Sequence, residues 1–465
     1  MPINSFLYPA KNVPVAYEVA NSLRFNSGSS DYLDRTLSSA GTLTKFTISF
    51  WVKRSGLSAY NTLFQAQANG GYFRLAFYDT DKFSILDDNS GVNKITSAVF
   101  RDVSAWMHIV VALDSSQSTA SNRDRLYING EEITSFSTNT SSTQNNSYRW
   151  QENSQVQNIG RHTDAGDHFN GYMSEVVVID NAQLDPTSFG EFDSDTNIWK
   201  PIDVSGLTFG NNGFYLDFEN SSSLGADVSG NGNNFTVNNL TSIDQTTDTC
   251  TNNFATINSL DNLYTGGTLS EGNTKIVTGV SNEPVYINST IGVASGKWYC
   301  EVKNLTPSGR GLTIGISGRF CSSSNDSLGS DLDGFGYTQT GVYRNNNSTT
   351  SYGNSYTEND IIGIALDLDN NKLYFSKNGT WQNSGDPTSG ATGTGAISIG
   401  TPSTGFYFIS LGDNSGDTTT FQTNFGNPSF SISSGNSDGN GYGNFEYSVP
   451  SGYYALNTKN LAEYG

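Results

Sequence analysis

The stretch Asp360-Ile-Ile-Gly-Ile-Ala-Leu-Asp-Leu-Asp-Asn-Asn-Lys-Leu-Tyr-Phe-Ser-Lys-Asn-Gly-Thr-Trp381 decides the fold of the second half of the chain. Its run from Ile361 to Leu368 is apolar on both alternating faces, which is typical of a central strand in a sandwich core. An Asp-Asn-Asn turn follows, because these residues tolerate positive φ. Leu373 and Phe375 then return on one face, so the stretch predicts a β-hairpin.

Segments on both sides of this hairpin follow the order of a known family. They are Lys297-Trp-Tyr-Cys-Glu-Val302, Leu312-Thr-Ile-Gly-Ile-Ser317 and Gly334-Phe-Gly-Tyr337. Together with the hairpin they resemble the SPRY family over roughly residues 270 to 430. SPRY domains are bent β-sandwiches that bind partners and share no catalytic centre. The resemblance therefore implies recognition through loops.

The first half shows a second set of alternating strands. The motifs are Phe46-Thr-Ile-Ser-Phe-Trp-Val52, Trp106-Met-His-Ile-Val-Val-Ala-Leu113, Leu126-Tyr-Ile-Asn-Gly130 and Gly171-Tyr-Met-Ser-Glu-Val176. Their alternation indicates half-buried strands, and Asn-Gly favours a tight hairpin turn. In this order they resemble a laminin G-like, concanavalin A-like jelly roll over roughly residues 20 to 200.

The sequence therefore predicts an all-β chain of two antiparallel β-sandwiches, one jelly-roll or concanavalin A-like and one SPRY-like. We expect an extended N-terminal arm over residues 1–20 and a first sandwich over 21–202. A loop-rich connector should cover 203–262, and the second sandwich with its C-terminal tail 263–465. Asp185-Pro186 predicts an N-cap and a short helix reaching about Phe192.

Composition excludes several classes of protein. The 465 residues carry a formal net charge of -20, and no Lys/Arg cluster offsets it, so we expect no nucleic-acid partner. The three cysteines show no repeated spacing, which argues against a disulfide framework or a zinc ribbon. The N-terminus does not resemble a signal peptide, and no apolar run predicts membrane insertion.

Motifs for catalysis are missing where the resemblance would place them. Glucanases of the concanavalin A-like class use a Glu-x-Asp-x-x-Glu strand, in which two carboxyl groups flank one bond. The nearest match is Glu191-Phe-Asp193, but residue 196 is threonine. Gly435-Asn-Ser-Asp-Gly439 has the letters of a nucleophile elbow without the flanking strand and helix. We therefore expect no enzyme.

A ligand site is predicted in the second half. Tyr343, Arg344, Tyr352 and Tyr356 lie in a polar, aromatic segment between two strands. Exposed rings beside polar groups form platforms for sugars. A comparable set in the first half comprises Tyr78, Asp79, Asp81, Asp87, Asp88 and Trp150. The alternative is that several of these residues pack in the core or at its rim.

A calcium site is the second candidate. Asp164 and Asp167 lie in one loop with two histidines and an arginine, and Ca²⁺ prefers several oxygen ligands. Laminin G-like modules often carry calcium in a rim loop. The alternative is a solvated polar loop, with no cofactor bound.

The order of the segments suggests a biological setting. The connector, together with Val449-Pro-Ser-Gly-Tyr-Tyr-Ala-Leu-Asn-Thr-Lys-Asn-Leu461, resembles structural proteins of tailed bacteriophages. This implies a virion location, synthesis in the host cytoplasm and other virion proteins as partners. We expect a fibre or spike that binds a host-surface glycan or protein, assembled as a homo-oligomer, with a trimer expected by analogy with fibres. The alternative is a capsid or tail decoration subunit whose sandwiches contact other virion proteins.

Overall fold

The computed structural model describes residues 17–68, 71–164, 166–263, 267–279, 284–307, 309, 311–323, 326–413 and 418–465. The predicted N-terminal arm lies outside these ranges except for its last four residues. Within them the chain is almost entirely β-structure, and every ladder is antiparallel except one parallel pair near the C-terminus. The predicted fold class is confirmed.

The strands of the first half alternate with short turns. They are β1 (Ser22–Phe25), β2 (Tyr32–Thr36), β3 (Lys45–Arg54), β4 (Asn61–Ala68), β5 (Gly71–Phe77), β6 (Phe83–Asp87), β7 (Val92–Thr96), β8 (Met107–Asp114), β9 (Asp124–Ile128), β10 (Glu131–Glu132), β11 (Phe136–Thr140), β12 (Val156–Ile159), β13 (Gly171–Asp180), β14 (Gly190–Phe192), β15 (Trp199–Pro201), β16 (Phe214–Leu216), β17 (Thr236–Asn238) and β18 (Gln245–Thr246).

The second half continues with β19 (Thr268–Ser270), β20 (Lys275–Val277), β21 (Val285–Val293), β22 (Lys297–Asn304), β23 (Thr313–Ser317), β24 (Gly334–Thr338), β25 (Val342–Asn345), β26 (Ser348–Ser351), β27 (Ile361–Asp367), β28 (Lys372–Lys377), β29 (Thr380–Trp381), β30 (Ile397–Ser398), β31 (Tyr407–Asp413), β32 (Thr420–Asn424) and β33 (Tyr454–Ala455). The helix α1 (Thr458–Tyr464) ends the chain. Short 3₁₀ turns lie at Ser27–Ser29, Ala120–Asn122, Arg149–Gln151, Pro186–Ser188, Ser259–Asp261, Gln382–Ser384 and Pro387–Thr392.

Two sheets pack face to face in the first half. One has the order β10-β9-β8-β3-β13-β1-β18, with β16 also on β13, and the other has the order β11-β7-β6-β5-β4-β12-β2-β17. Alternate side chains of β3 and β5, such as Phe46, Phe50 and Phe73, meet between the sheets with no exposure. Period-2 alternation thus places one face of each strand in a common core.

The second sandwich is built on the predicted hairpin. Strand β27 lies between β22 and β28 in the sheet β19-β20-β32-β22-β27-β28-β29, and Ile362, Ile364 and Leu366 are fully buried. The facing sheet has the order β21-β31-β23-β24-β25-β26. The hairpin pairs Ala365 with Tyr374, as the turn predicted from the sequence requires.

The segment predicted as a loop-rich connector, residues 203–262, contributes strands to the first sandwich. Strands β16, β17 and β18 lie within residues 203–262, yet they pair with β13, β2 and β1 of the first sandwich. Phe214 and Leu216 are part of the first core. The turn residues of this segment indicate loops, but they do not reveal long-range pairing, which depends on partner strands far away in the chain.

Two local predictions can be compared directly with the structure. The Asn129-Gly130 turn is confirmed, since both residues adopt positive φ between β9 and β10. Asp185 accepts a hydrogen bond from the Thr187 backbone as an N-cap, but the helix is only the Pro186–Ser188 turn. The chain then forms β14 against β15, and this pairing replaces the rest of the predicted helix.

The two halves meet through a buried polar junction centred on Asp248. Its carboxylate accepts from Lys53 Nζ at 2.9 Å, Trp106 Nε1 at 3.0 Å and Asn427 Nδ2 at 3.2 Å. Asp248 is fully buried and Lys53 almost so. Tyr172 Oη also donates to the Gly272 carbonyl oxygen at 2.8 Å. The contact between the sandwiches is therefore specified by hydrogen bonds as well as by shape.

Candidate functional site

A cavity of about 540 Å³ opens at one end of the first sandwich. We call it the rim pocket. Three connections supply most of its lining, namely the β3–β4 loop, the turn after β5, and the loop between β12 and β13, and Ser27 comes from the β1–β2 connection. Its lining residues are Ser27, Gly56, Leu57, Ala59, Tyr60, Asn61, Asp79, Gly166, Asp167, His168 and Asn170. Asp79 was predicted as a ligand residue and Asp167 as a calcium ligand, in two separate segments, and the fold brings both to this pocket.

Asp81 holds the wall of the rim pocket in place. Its fully buried carboxylate accepts from the Ser58 backbone at 2.8 Å and from Arg54 Nη2 at 3.0 Å, while Arg101 Nε donates to its other oxygen at 2.8 Å. Burial acts to raise the pKa of Asp81, but the hydrogen bonds from Arg101, Ser58 and Arg54 outweigh it and lower the pKa. Asp81 is therefore a positioning residue for the loop that carries Tyr60.

Aromatic rings flank the entrance of the pocket. Tyr60 is 41 % exposed and its ring centroid lies 5.2 Å from that of Tyr78. The Arg74 guanidinium sits beneath them, 5.8 Å from the Tyr60 ring and 5.6 Å from the Tyr78 ring, and 5.5 Å from Tyr72. Arg74 is itself largely buried. A cation under these rings fixes their positions without occupying their outer faces.

One edge of the pocket is polar. Asn61 Oδ1 accepts from the Asn170 backbone at 3.2 Å, which joins two of the three loops. Among the residues that the structure describes, His168 Nδ1 and Asn170 Oδ1 are buried atoms without a hydrogen-bond partner. Burial lowers the pKa of His168, so its ring is neutral at pH 7. His168 and Asn170 thus contribute polar side chains to the pocket lining.

The predicted calcium ligands are both near this edge but differ in surroundings. Asp167 lines the pocket, whereas Asp164 is exposed and accepts a hydrogen bond from Gln67 Nε2. No group of three or more His, Cys, Asp or Glu side chains suited to a metal occurs among the described residues. Asp167 could still join backbone carbonyl oxygens around a cation, so calcium here stays a prediction.

The expected exposure of two predicted ligand residues in the second half is wrong. Tyr356 and Tyr352 are 1 % and 5 % exposed and belong to the second core. Tyr356 Oη donates to the Tyr337 carbonyl oxygen at 3.0 Å, so burial leaves its hydroxyl satisfied. The segment between the two predicted strands also contains the β25–β26 hairpin, at the sheet edge. Neither ring presents a face to a ligand in this fold.

Tyr343 and Arg344 remain half-buried on β25. Arg344 donates to Ser327 Oγ at 2.8 Å and to Asn347 Oδ1 at 2.7 Å, so its guanidinium is engaged within the module. Tyr343 packs edge-on against Tyr352, with 6.0 Å between ring centroids. A binding role for this pair stays a prediction. Neither residue lines the rim pocket.

Other singled-out residues of the first half have structural positions. Trp150 is fully buried in the first core, and Asp87 caps a turn by accepting from Ser90 N at 2.7 Å. Glu191 and Asp193 share Lys200 Nζ at 3.3 Å and 3.0 Å on the surface. Tyr60, by contrast, was not among the predicted ligand residues. An aromatic residue in a polar loop before a strand is a pattern that could have identified it.

Comparisons with known proteins match both halves. Residues 27–186 match the family described as the concanavalin A-like lectin/glucanases superfamily, and residues 297–397 match the SPRY domain. Over 92 residues the chain is 44 % identical to the ATP-dependent RNA helicase DDX1 of Xenopus laevis. That match spans 20 % of this chain and 12 % of the length of that protein.

Among solved structures, the chain is similar to the SPRY domain of human HERC1 and to a heptameric SAP-like pentraxin from Limulus polyphemus. The first match is 18 % identical with a TM-score of 0.25 and covers 32 % of this chain and 87 % of the other. The second is 13 % identical with a TM-score of 0.28 and covers 36 % of this chain and 80 % of the other. From the family matches and the two sandwiches, the chain consists of a concanavalin A-like module followed by a SPRY domain.

Proposed function

We propose that this protein is a recognition protein that binds neutral glycans at the rim pocket of its concanavalin A-like module. The observation that carries the proposal is the exposed Tyr60 ring beside a polar-edged cavity of about 540 Å³. Pockets for small ligands measure roughly 300–1,000 Å³ and combine apolar walls with a few placed polar groups. A sugar presents the matching faces, since its C–H face stacks on a ring while its hydroxyls bond at the edge.

The bound sugar is neutral in this proposal. The chain carries a net charge of -20, and two carboxylates, Asp79 and Asp167, line the pocket. An anionic polymer would be repelled by this field, whereas a neutral sugar would not. Binding should therefore change little between low and high salt. The proposal includes no catalytic step, because the nearest match to the Glu-x-Asp-x-x-Glu strand of glucanases, Glu191-Phe-Asp193, has threonine at residue 196.

We place this recognition on a bacteriophage particle, as a fibre or spike that contacts the host surface. The support is the order of the two modules, the connector and the tail segment that ends the chain. The homo-oligomer remains part of the proposal. Its suggested contact, the apolar arm with Ile3 and Phe6, lies outside the described residues. Mass photometry of the purified chain at micromolar concentration would show a trimer if this part is right.

A glycan array and a whole-cell adsorption assay test the recognition, using the wild type beside Tyr60→Ala. Loss of a stacked ring should weaken binding by on the order of 1–2 kcal/mol. The thermal midpoint should stay nearly constant, since the ring is outside the core. Phe192→Ala is a matched control, because Phe192 is also 41 % exposed but lies on β14, outside the rim pocket.

The competing function is a decoration subunit that packs on other virion proteins. It is favoured by an aromatic cluster on the surface of the SPRY domain, where the tilted rings of Phe320 and Phe408 have centroids 5.2 Å apart and Phe406 is 48 % exposed. A wild type that adsorbs to no glycan or cell, but rebinds to particles stripped of it, would replace the glycan proposal with this one.

Calcium is tested on the same array. If Asp167 holds a cation that shapes the pocket, EDTA should weaken wild-type binding and added Ca²⁺ should restore it. Asp167→Asn should lose that sensitivity, while Asp195→Asn, a carboxylate on the surface loop after β14, should retain it. Wild-type binding that is unchanged by EDTA would remove calcium from the proposal.

A further inference from the structure

A second cavity lies on the SPRY domain, on the outer face of the sheet that contains β27 and β28. It has a volume of about 220 Å³ and is lined by Tyr299, Ser376, Gly379, Trp381, Tyr447 and Ser448. We call it the tail cavity, because the C-terminal segment forms one wall. The six lining residues carry no formal charge, and three of them are aromatic.

The tail wall is fastened by Glu301, which is fully buried on β22. Its carboxylate accepts from the backbone of Glu446 at 2.9 Å and of Tyr447 at 2.8 Å. Tyr299 Oη donates to the same carboxylate at 3.0 Å. Because one buried group holds both walls, the cavity is part of the folded domain and not a gap between loose segments.

Two glycines allow the side chains around the cavity to pack closely. A Cβ at Gly363 would lie 2.4 Å from Ser376 Oγ and 3.0 Å from Tyr299 Oη, so a side chain there would displace both groups. Gly379 has φ of +77° in the turn before β29, and the Tyr447 ring packs directly over it. The same turn that closes the hairpin therefore leaves room for the tail aromatic ring.

A polar atom is placed in this aromatic setting. Ser376 is 1 % exposed, and its Oγ has no hydrogen-bond partner among the residues the structure describes. A buried hydroxyl without a partner is unfavourable, so a bound group that pairs with it is favoured at this position. The Tyr299 and Trp381 rings stand nearly perpendicular, with 6.5 Å between centroids, and supply apolar surface beside the hydroxyl.

We propose that the tail cavity binds one neutral pyranose ring. The ring would stack on Trp381 or Tyr447 and accept or donate a hydrogen bond at Ser376 Oγ. Its size limits it to a single ring, below the roughly 300 Å³ at which pockets for larger ligands begin. The uncharged lining, with the Glu301 carboxylate behind it, favours a neutral group over an anion. This site does not depend on the rim pocket, which lies in the other module.

Saturation-transfer NMR with three probes tests the proposal: methyl α-D-glucopyranoside, methyl α-D-mannopyranoside and methyl β-D-galactopyranoside. The full chain carrying Tyr60→Ala serves as the background, so that any rim-pocket binding is weakened. We expect at least one glycoside to receive saturation. Adding Ser376→Ala should weaken its affinity about fivefold, the value of one ordinary hydrogen bond.

A blocking variant makes the test independent of small effects. Ser448 is exposed at the mouth, so Ser448→Tyr should cover the cavity and abolish the signal. Thr349→Tyr adds the same side chain at an exposed site on β26 and should leave the signal unchanged. Saturation of none of the three sugars, or equal saturation in Ser448→Tyr and Thr349→Tyr, overturns the proposal. Either result leaves the Tyr60 experiment on the rim pocket standing on its own.

Discussion

The two sandwiches differ in where they place their tyrosines. In the concanavalin A-like module Tyr60 and Tyr78 stand outside the core, above the Arg74 guanidinium. In the SPRY domain Tyr337, Tyr352 and Tyr356 fill the core and contact one another. Aromatic residues in a polar segment can thus lie either in the core or at the surface. The buried ones have backbone partners for their hydroxyls, and the exposed ones have a cation beneath them.

The largest expected effect tests whether the SPRY core stands alone. Gly363→Asp would insert a carboxylate against Ser376 Oγ and Tyr299 Oη, across the ladder from the buried Glu301. Burying an unpaired charge costs several kcal/mol, so the SPRY domain should unfold. Limited proteolysis should then digest residues beyond about 260 and leave the first sandwich intact. Simultaneous loss of both halves would show that the junction makes them one folding unit.

The second prediction concerns that junction. Asp248→Ala leaves the Lys53 ammonium buried without its carboxylate, which should destabilise the chain by about 3–5 kcal/mol. Urea unfolding followed by intrinsic fluorescence measures this loss. Asp193→Ala removes the partner of another lysine, Lys200, on the surface and should change little. Equal effects of the two variants would mean that the buried pair contributes no more to stability than a surface pair.

The third prediction compares the truncation of a buried tyrosine with that of an exposed one. Tyr356→Ala should lower the free energy of unfolding by about 3–5 kcal/mol, as for other large rings removed from a core. Tyr60→Ala should leave that free energy nearly unchanged and weaken glycan binding. Differential scanning calorimetry and the glycan array together separate the two outcomes. A reversed pattern would show that the comparison between the modules is mistaken.

The fourth prediction is a pH dependence in the first module. His108 is stacked between Trp51 and Trp199, whose Nε1 donates to His108 Nδ1 at 3.0 Å. Burial lowers the pKa of His108 from 6.5 to about 3. Because the unfolded imidazole binds a proton first, stability is lost as the pH falls from 6.5 to about 3. Urea unfolding at several pH values should show this loss in wild type and a smaller one in His108→Gln.

The sequence predicted the elements that have strong local signals. The hairpin from Ile361 to Lys377, the strand from Lys45 and the Asn129-Gly130 turn follow from alternation and turn chemistry. It did not capture the pairing of β16, β17 and β18, whose partners lie up to about 220 residues away in the chain. Short strands carry too few residues for a periodic pattern to be visible.

The candidate sites were less predictable for a physical reason. Whether a tyrosine points inward depends on which face of its strand meets the other sheet, and residues 343–356 gave no clear alternation to decide this. Asp79 and Asp167 were recognised as acidic loop residues, but only the fold shows that they share a pocket. Alternation along β28 places Ser376 on the outer face of the hairpin, and only the fold shows that the tail segment lies over it.

The pairing of the connector with the first sandwich has a practical consequence for anyone who isolates that module. Strand β17 covers the edge of β2, and β18 covers the edge of β1. A fragment that stops at residue 186, where the family match ends, would expose both rows of backbone N–H and C=O groups. Open edges of this kind template pairing with other chains, so such a fragment should aggregate. A fragment that continues through Thr246 should stay monodisperse.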